Sequence, residues 1–174
     1  MSYFTLPNGV KIPSIGFGTY RIPDGNSTFD SVSFALKNGY RLIDTAHAYG
    51  NERSVGRAVQ NSGIERQKIF VTSKLPAEIK TYKDTLQSFN NTMKEIELDY
   101  IDLYLIHAPW PWLRMGSDYT KENISVWKAM EEIYKSGRCS AIGVSNFNIH
   151  DLTPILDNCK IQPMVNQIKC HIGY

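Results

Sequence analysis

Asp44, Tyr49, Lys74 and His107 stand at or just beyond the ends of three apolar runs, with Tyr49 five residues past Asp44. The runs are Leu42-Ile43-Asp44, Ile69-Phe70-Val71-Thr72-Ser73-Lys74 and Leu103-Tyr104-Leu105-Ile106-His107. A phenol, an ammonium, a carboxylate and an imidazole gathered in one place make machinery for protonating an oxyanion. A free phenol has a pKa of about 10 and gives up its proton poorly at neutral pH. An adjacent ammonium favours the phenolate, and a carboxylate beside the ammonium keeps it charged and oriented. The expectation is therefore that Lys74 makes Tyr49 more acidic, that Asp44 holds Lys74, and that His107 orients or polarises a carbonyl through a hydrogen bond to its oxygen. A carbonyl that gains a proton on oxygen must gain a hydride on carbon, which side chains cannot supply and a nicotinamide can. Ser145-Asn146, after the run Ala141-Ile142-Gly143-Val144, and Asn166-Gln167 on the next strand offer amides to a carboxamide-bearing ring.

These residues are remote in sequence, so their convergence requires strands that end on one face. Strand-like runs begin near Arg41, Ile69, Ile101, Ser140 and Met164, a recurrence of roughly thirty residues, which is the size of a βαβ unit. Between them lie apolar stripes at helical spacing: Phe29, Val32 and Leu36; Val55, Ala58 and Val59; Leu86, Phe89, Met93 and Ile96; Trp127, Met130 and Tyr134. Such stripes are core packing, and Gly39 and Gly63 suit the ends of the first two helices. Repeated βα units pair in parallel, either as a closed barrel or as a doubly wound open sheet. Gly16-Phe17-Gly18-Thr19-Tyr20-Arg21 lacks the third glycine of a dinucleotide fingerprint, and it follows a predicted β-hairpin, Phe4 to Ile12, turning at Asn8-Gly9. Site residues on loops after several different strands favour the barrel, where every strand end faces one mouth.

Bulk properties narrow the class without naming a reaction. The chain of 174 residues is 42% hydrophobic and 21% charged, ordinary for one globular domain over 1–174. A net charge of +2 is too small for a nucleic-acid footprint, and no run approaches a membrane span. Cys139, Cys159 and Cys170 are an odd number behind an N-terminus without a signal-peptide pattern, which points to a reducing cytoplasmic compartment. His47, His150 and His171 share no ligand spacing, and Cys159 with Cys170-His171 is too sparse for zinc, so no metal is expected.

Six ordered stretches together resemble the aldo-keto reductases: Gly16-Phe17-Gly18-Thr19-Tyr20, Leu42-Ile43-Asp44-Thr45-Ala46-His47-Ala48-Tyr49-Gly50-Asn51-Glu52, Ser73-Lys74-Leu75, Ile106-His107, Gly143-Val144-Ser145-Asn146-Phe147 and Asn166-Gln167. The resemblance covers the whole chain. It implies an α/β fold of the (β/α)8 TIM-barrel type, metal-free reduction of aldehyde or ketone carbonyls to alcohols, and NADPH as cofactor, with NADH the second choice. Carried over by position, Tyr49 is the general acid, Lys74 and Asp44 its tuning pair, and His107 the orienting residue. Gly18, Thr19, Tyr20, Asp44, Ser145, Asn146 and Gln167 line the cofactor, and Tyr20, Tyr49 and His107 face the substrate.

Two departures accompany the resemblance. Where many members carry an aromatic residue directly after the histidine, this chain has Ala108 followed by Pro109-Trp110-Pro111-Trp112. Trp110 or Trp112 takes up the substrate wall from a later loop position, with Trp110 counted among the expected contacts, or the two tryptophans serve loop packing. The chain also stops after about six βα units and the hairpin, two units short of a full barrel. An incomplete barrel with unpaired edge strands is expected to self-associate. Two functions follow from different classes: an NAD(P)H-dependent carbonyl reductase acting on small molecules, and a truncated or degenerate relative that keeps the scaffold for a binding or structural role.

Overall fold

The computed structural model describes residues 2–173. A hairpin of β1 (Tyr3–Thr5) and β2 (Lys11–Pro13) comes first, paired Phe4 against Ile12. Its turn carries Gly9 at φ 86°, a left-handed conformation that glycine enters without a Cβ clash. Asn8 ties the hairpin down by donating its side-chain amide to the Ser140 carbonyl at 2.9 Å.

Six strands then alternate with helices. They are β3 (Phe17–Gly18), β4 (Leu42–Asp44), β5 (Phe70–Leu75), β6 (Ile101–Ile106), β7 (Cys139–Ser145) and β8 (Asn166–Gln167). Helices α1 (Asn26–Lys37), α2 (Glu52–Gln60), α3 (Tyr82–Ile96), α4 (Thr120–Lys135) and α5 (Ile149–Asn158) intervene, with α1 after β3 and α5 after β7. All neighbours pair in parallel in the order β3-β4-β5-β6-β7-β8. The strands curl into the partial (β/α) barrel that the residue pattern anticipates, with β3 and β8 at its edges. Every residue of β5 is buried, as expected of a strand covered on both faces, and this is why it reads as a continuous run instead of an alternation.

Two apolar layers sandwich the sheet. The outer one packs Val32, Leu36, Val55, Val59, Phe89, Trp127 and Met130 from the helices onto Ile43, Val71, Ile106 and Ile142 from the strands. The inner one, Leu6, Phe70, Leu103, Leu105 and Ala141 with Val10 and Ile12 against it, lets the hairpin plug the end of the barrel opposite the strand C-termini. Helix α5 is not among the stripes read from the sequence, although Leu152, Ile155 and Cys159 form a short one against the outer layer. It buries only Ile155, and its start is set by a reciprocal cap in which Asn148 and Asp151 each accept the other's backbone N–H. Among the described residues no helix is long and apolar enough to cross a membrane.

Helix α2 reaches the sheet because Gly56 lets it approach α3. A Cβ built at Gly56 would strike the backbone carbonyl of Ile96, which no side-chain rotation relieves. Gly56→Ala is therefore expected to destabilise the fold by about 2 kcal/mol through overpacking, measured as a lowered midpoint in urea with an unchanged slope. An unaltered midpoint would show that the two helices slide apart at little cost.

Candidate active site

Parallel pairing puts every strand C-terminus on one rim, and that rim carries the polar residues. Asp44 ends β4, Lys74 is next to last in β5, His107 follows β6, Ser145 ends β7 and Gln167 ends β8. Tyr49 arrives on a single 3-10 turn, His47–Tyr49, which begins after the extended residue Ala46 and closes at Gly50 with φ 68°. The turn is short because Asn51 begins the next helix and is itself anchored. Its fully buried amide donates to the Thr19 and Ile22 carbonyls, both at 3.0 Å, and accepts from Thr45 at 2.7 Å.

Lys74 is 1% exposed and satisfies its three protons on three different partners. Nζ donates to Asp44 Oδ1 at 2.5 Å, to the Thr45 carbonyl at 2.9 Å and to Tyr49 Oη at 3.4 Å. The other carboxylate oxygen of Asp44 accepts from Gln167 Nε2 at 2.9 Å. Because Tyr49 Oη accepts from Lys74, its own proton remains available to a third group.

The acid-base balance departs from the expectation that Lys74 makes the phenol more acidic. Burial, then the Asp44 carboxylate, then Tyr20 push the Tyr49 pKa upward, while burial outweighs Asp44 and pulls Lys74 below the usual ammonium range. Burial is the larger cause for both groups, and Asp44, seated on the ammonium, adds its negative charge to the surroundings of the phenol. Tyr49 is thus held protonated in the resting protein. His107 is 7% exposed. Burial, reinforced by the Lys74 charge, pushes its pKa down to about 4, so the ring is neutral at pH 7. Its Nδ1 is buried without a hydrogen-bond partner. An orphaned lone pair costs less than an orphaned N–H, which favours the tautomer with the proton on Nε2.

A cavity of about 450 Å³ opens over this rim, lined by Gly16, Gly18, Leu42, Asp44, Tyr49, His107, Ser145, Asn146, Gln167, Ile168 and Lys169. A Cβ at Gly18 would meet nothing within 4 Å, so that side of the cavity is clear. Asn146 adopts φ 62°, which turns its amide back to donate to the His107 carbonyl at 2.9 Å and to Ser145 Oγ at 3.0 Å. Ser145 passes the contact on to the Gln167 carbonyl at 2.9 Å. The amide-bearing ends of β7 and β8 are thereby coupled to the backbone of His107 and to the Asp44 carboxylate.

Two expected contacts are placed differently. Thr19 is fully buried, with its hydroxyl directed at the Asp44 carbonyl and Asn51, so it supports the lining from behind and is no part of it. Trp112, and not Trp110, packs edge-on against the His107 ring at 5.4 Å between centroids, and Trp110 packs edge-on against Trp112 at 5.6 Å. Tyr20 is 61% exposed and stands 5.1 Å from the Tyr49 ring, at the open side of the cavity. Periodicity gave no signal for Ile168 and Lys169, which enter the lining only because β8 closes beside β7. Among the described residues no group of three His, Cys, Asp or Glu side chains is placed to hold a metal ion.

Residues 14–173 match the model of the Aldo/keto reductase family. The chain is 45% identical over 166 residues to the glyoxal reductase of Bacillus subtilis and 44% identical over 167 residues to the 9,11-endoperoxide prostaglandin H2 reductase of Trypanosoma cruzi. Those alignments cover 95% and 96% of this chain but 57% and 56% of the relatives, so the chain spans a little over half their length. An aldo/keto reductase from Brucella melitensis superposes with a TM-score of 0.89 at 40% identity, over 98% of this chain and 63% of its own. MGS-M4, an aldo-keto reductase from a deep-sea metagenome library, gives 0.88 at 45% identity, over 97% and 58%. With the family model matched over nearly the whole chain and the fold shared with these structures, the chain belongs to the aldo/keto reductase family.

Proposed function

We propose that this chain carries the proton-donating half-site of an NADPH-dependent carbonyl reductase, with NADH as the second-choice cofactor and a small aldehyde or ketone as substrate. The observation that carries the reading is the bridge at Lys74, whose buried ammonium touches Asp44 and Tyr49 at once. A structural ion pair would explain Lys74 and Asp44. It would not explain a phenol whose free proton faces a cavity beside a neutral imidazole.

The lining suits a nicotinamide. Ser145, Asn146 and Gln167 offer the hydrogen-bonding groups a carboxamide needs, and Gly18 leaves room for the ring to lie flat. The reduced ring supplies two electrons and a hydrogen to the carbonyl carbon when bound. All other work falls to the chain. His107 donates its Nε2 proton in a hydrogen bond to the carbonyl oxygen and so fixes which face of the substrate is presented. Tyr49 transfers its phenolic proton to that oxygen as negative charge builds there. The phenolate left behind is stabilised by Lys74, already in contact, and the phenol is restored from solvent through the open side of the cavity. Burial raises the Tyr49 pKa before reaction, and developing charge on the substrate oxygen provides the driving force that the resting site withholds. Trp112 and Tyr20 form an aromatic wall around the incoming carbonyl compound. The glyoxal reductase of Bacillus subtilis is named for a small dicarbonyl and the 9,11-endoperoxide prostaglandin H2 reductase of Trypanosoma cruzi for a bulky endoperoxide, and both sizes agree with a cavity open to solvent on one side.

Following NADPH oxidation with a reactive aldehyde tests this directly. Tyr49→Phe is expected to lower kcat by roughly 10²- to 10⁴-fold while leaving NADPH fluorescence titrations within about twofold, since only the proton donor is lost. Equal turnover by the two proteins would end the reading and favour a scaffold that binds without reacting. Trp112→Ala should raise KM for an aromatic aldehyde by about fivefold at nearly constant kcat, a loss of about 1 kcal/mol of edge-to-face contact; a larger effect from Trp110→Ala would reverse the assignment.

Stability should report the state of His107 independently of turnover. Its folded pKa of about 4 lies below the ordinary 6.5, so on acidification the unfolded chain takes up the proton first. Stability present above pH 6.5 is then lost as pH falls toward 4, by on the order of 3 kcal/mol in all. Thermal melts of His107→Gln should show a flatter acid limb in that window. Parallel melts of the two proteins from pH 7 to pH 4 would show that the imidazole is not held neutral.

A further inference from the structure

Behind the sheet, on the side away from the cavity, one buried carboxylate touches both elements that carry the proton donor and its ammonium. Glu52, the first residue of α2, is 3% exposed. Its Oε1 accepts from Ser73 Oγ at 2.5 Å and its Oε2 pairs with His47 Nδ1 at 2.9 Å. Ser73 directly precedes Lys74 on β5, and successive strand side chains point to opposite faces, so Lys74 faces Asp44 and Tyr49 while Ser73 faces Glu52. His47 opens the single 3-10 turn that ends in Tyr49. Glu52 therefore joins the turn bearing the phenol to the strand bearing the ammonium, across the one contact, 3.4 Å from Nζ to Oη, that has least distance to spare.

We propose that Glu52 is a positioning residue that clamps His47 and Ser73, thereby holding Tyr49 within reach of Lys74, and that the charged form of His47 tightens the clamp. This rests on the reading of Tyr49 as the proton donor. A carboxylate merely favouring the start of α2 would need no partner on β5 and would be left in water at the helix end. This one is withdrawn from water with each oxygen on a different element, a costly arrangement retained only where its partners are exact in place.

The surroundings of His47 support the second half. Asp24, Glu52, Arg53 and Glu95 line the cavity of about 370 Å³ beside it. Arg53 is engaged by Glu95 at 3.1 Å, and Asp24 accepts from Ser54 at 2.6 Å. The Glu52 hydrogen bond raises the His47 pKa above its ordinary value of 6.5, against the opposing effect of burial, with smaller upward contributions from the charges of Glu52 and Glu95. The charged imidazole thus persists to higher pH than in an isolated histidine. As pH rises through that pKa, the His47–Glu52 contact falls from an ion pair to an ordinary hydrogen bond, of about half the strength.

Steady-state kinetics with an aldehyde and NADPH, on Glu52→Gln and His47→Ala beside Tyr49→Phe, separate the possibilities. Glu52→Gln is expected to lower kcat by on the order of 10- to 100-fold, the scale of a displacement of about 1 Å at a reacting group. KM and NADPH affinity should stay within about twofold, because neither residue reaches the cavity. His47→Ala should lower kcat less and abolish the decline in kcat as pH rises through the His47 transition, a readout that a purely structural role would not move. If Glu52→Gln fails to fold, His47→Ala decides alone, since its side chain is more than a third exposed. Loss of turnover in Tyr49→Phe with unchanged kcat and pH profile in His47→Ala would overturn the clamp and leave the proton donor standing. Full turnover in Tyr49→Phe would remove the reading on which the clamp rests.

Discussion

The burial of one ammonium governs this structure. Taking a lysine out of water costs several kcal/mol even after relaxation, and Lys74 is almost completely enclosed. The cost is offset by three acceptors that come from β4, from the residue after it and from the 3-10 turn. The principal acceptor, Asp44, is steadied in its turn by Gln167 from the last strand. Strands β4, β5 and β8 must therefore end at matching heights, and the parallel ladder supplies that match by pairing Asp44 with Thr72 and Ser145 with Gln167.

A second consequence concerns the groups beside that ammonium. Burial, joined by the Asp44 charge, drives the phenol up, while burial reinforced by the Lys74 charge drives the imidazole down against Asp44. The site holds a protonated phenol and an uncharged imidazole side by side, one able to give a proton and one able to orient an oxygen without competing for it. Preorganised groups of this kind act where charge develops during reaction, at little reorganisation cost. Membership of the aldo/keto reductase family and this electrostatic arrangement point the same way.

The polar layer behind the rim keeps that arrangement rigid. Asn51 spends every side-chain atom it has on Thr19, Ile22 and Thr45, and Glu52 is satisfied at both oxygens. Two consecutive residues at the start of one helix thus knit together the loop after β3, the turn after β4 and the strand β5. Fully satisfied buried networks specify a single geometry, because any alternative leaves a polar atom unpaired in a dry environment.

Much of this was legible in the chain. The run from Ile69 to Lys74 announces a strand covered on both faces, the stripe Phe89, Met93 and Ile96 announces a helix on one face, and their alternation implies parallel strands whose ends share a rim. From that alone Asp44, Lys74 and His107 must gather. Helix α5 escaped because its apolar stripe, Leu152, Ile155 and Cys159, is short and only Ile155 is fully buried, so its clearest signal lay in the cap at Asn148 and Asp151. The amino-acid order by itself determined the βα repeat, the rim and the chemical types standing on it, since periodicity and residue identity are local properties. Only the tertiary structure decided that Trp112 faces His107, that Thr19 stands behind the lining, that Glu52 spans two elements, and that the phenol is raised and not lowered. Each of those depends on how far apart groups from separate segments lie and how much water is excluded between them, and neither quantity exists until the chain has closed on itself.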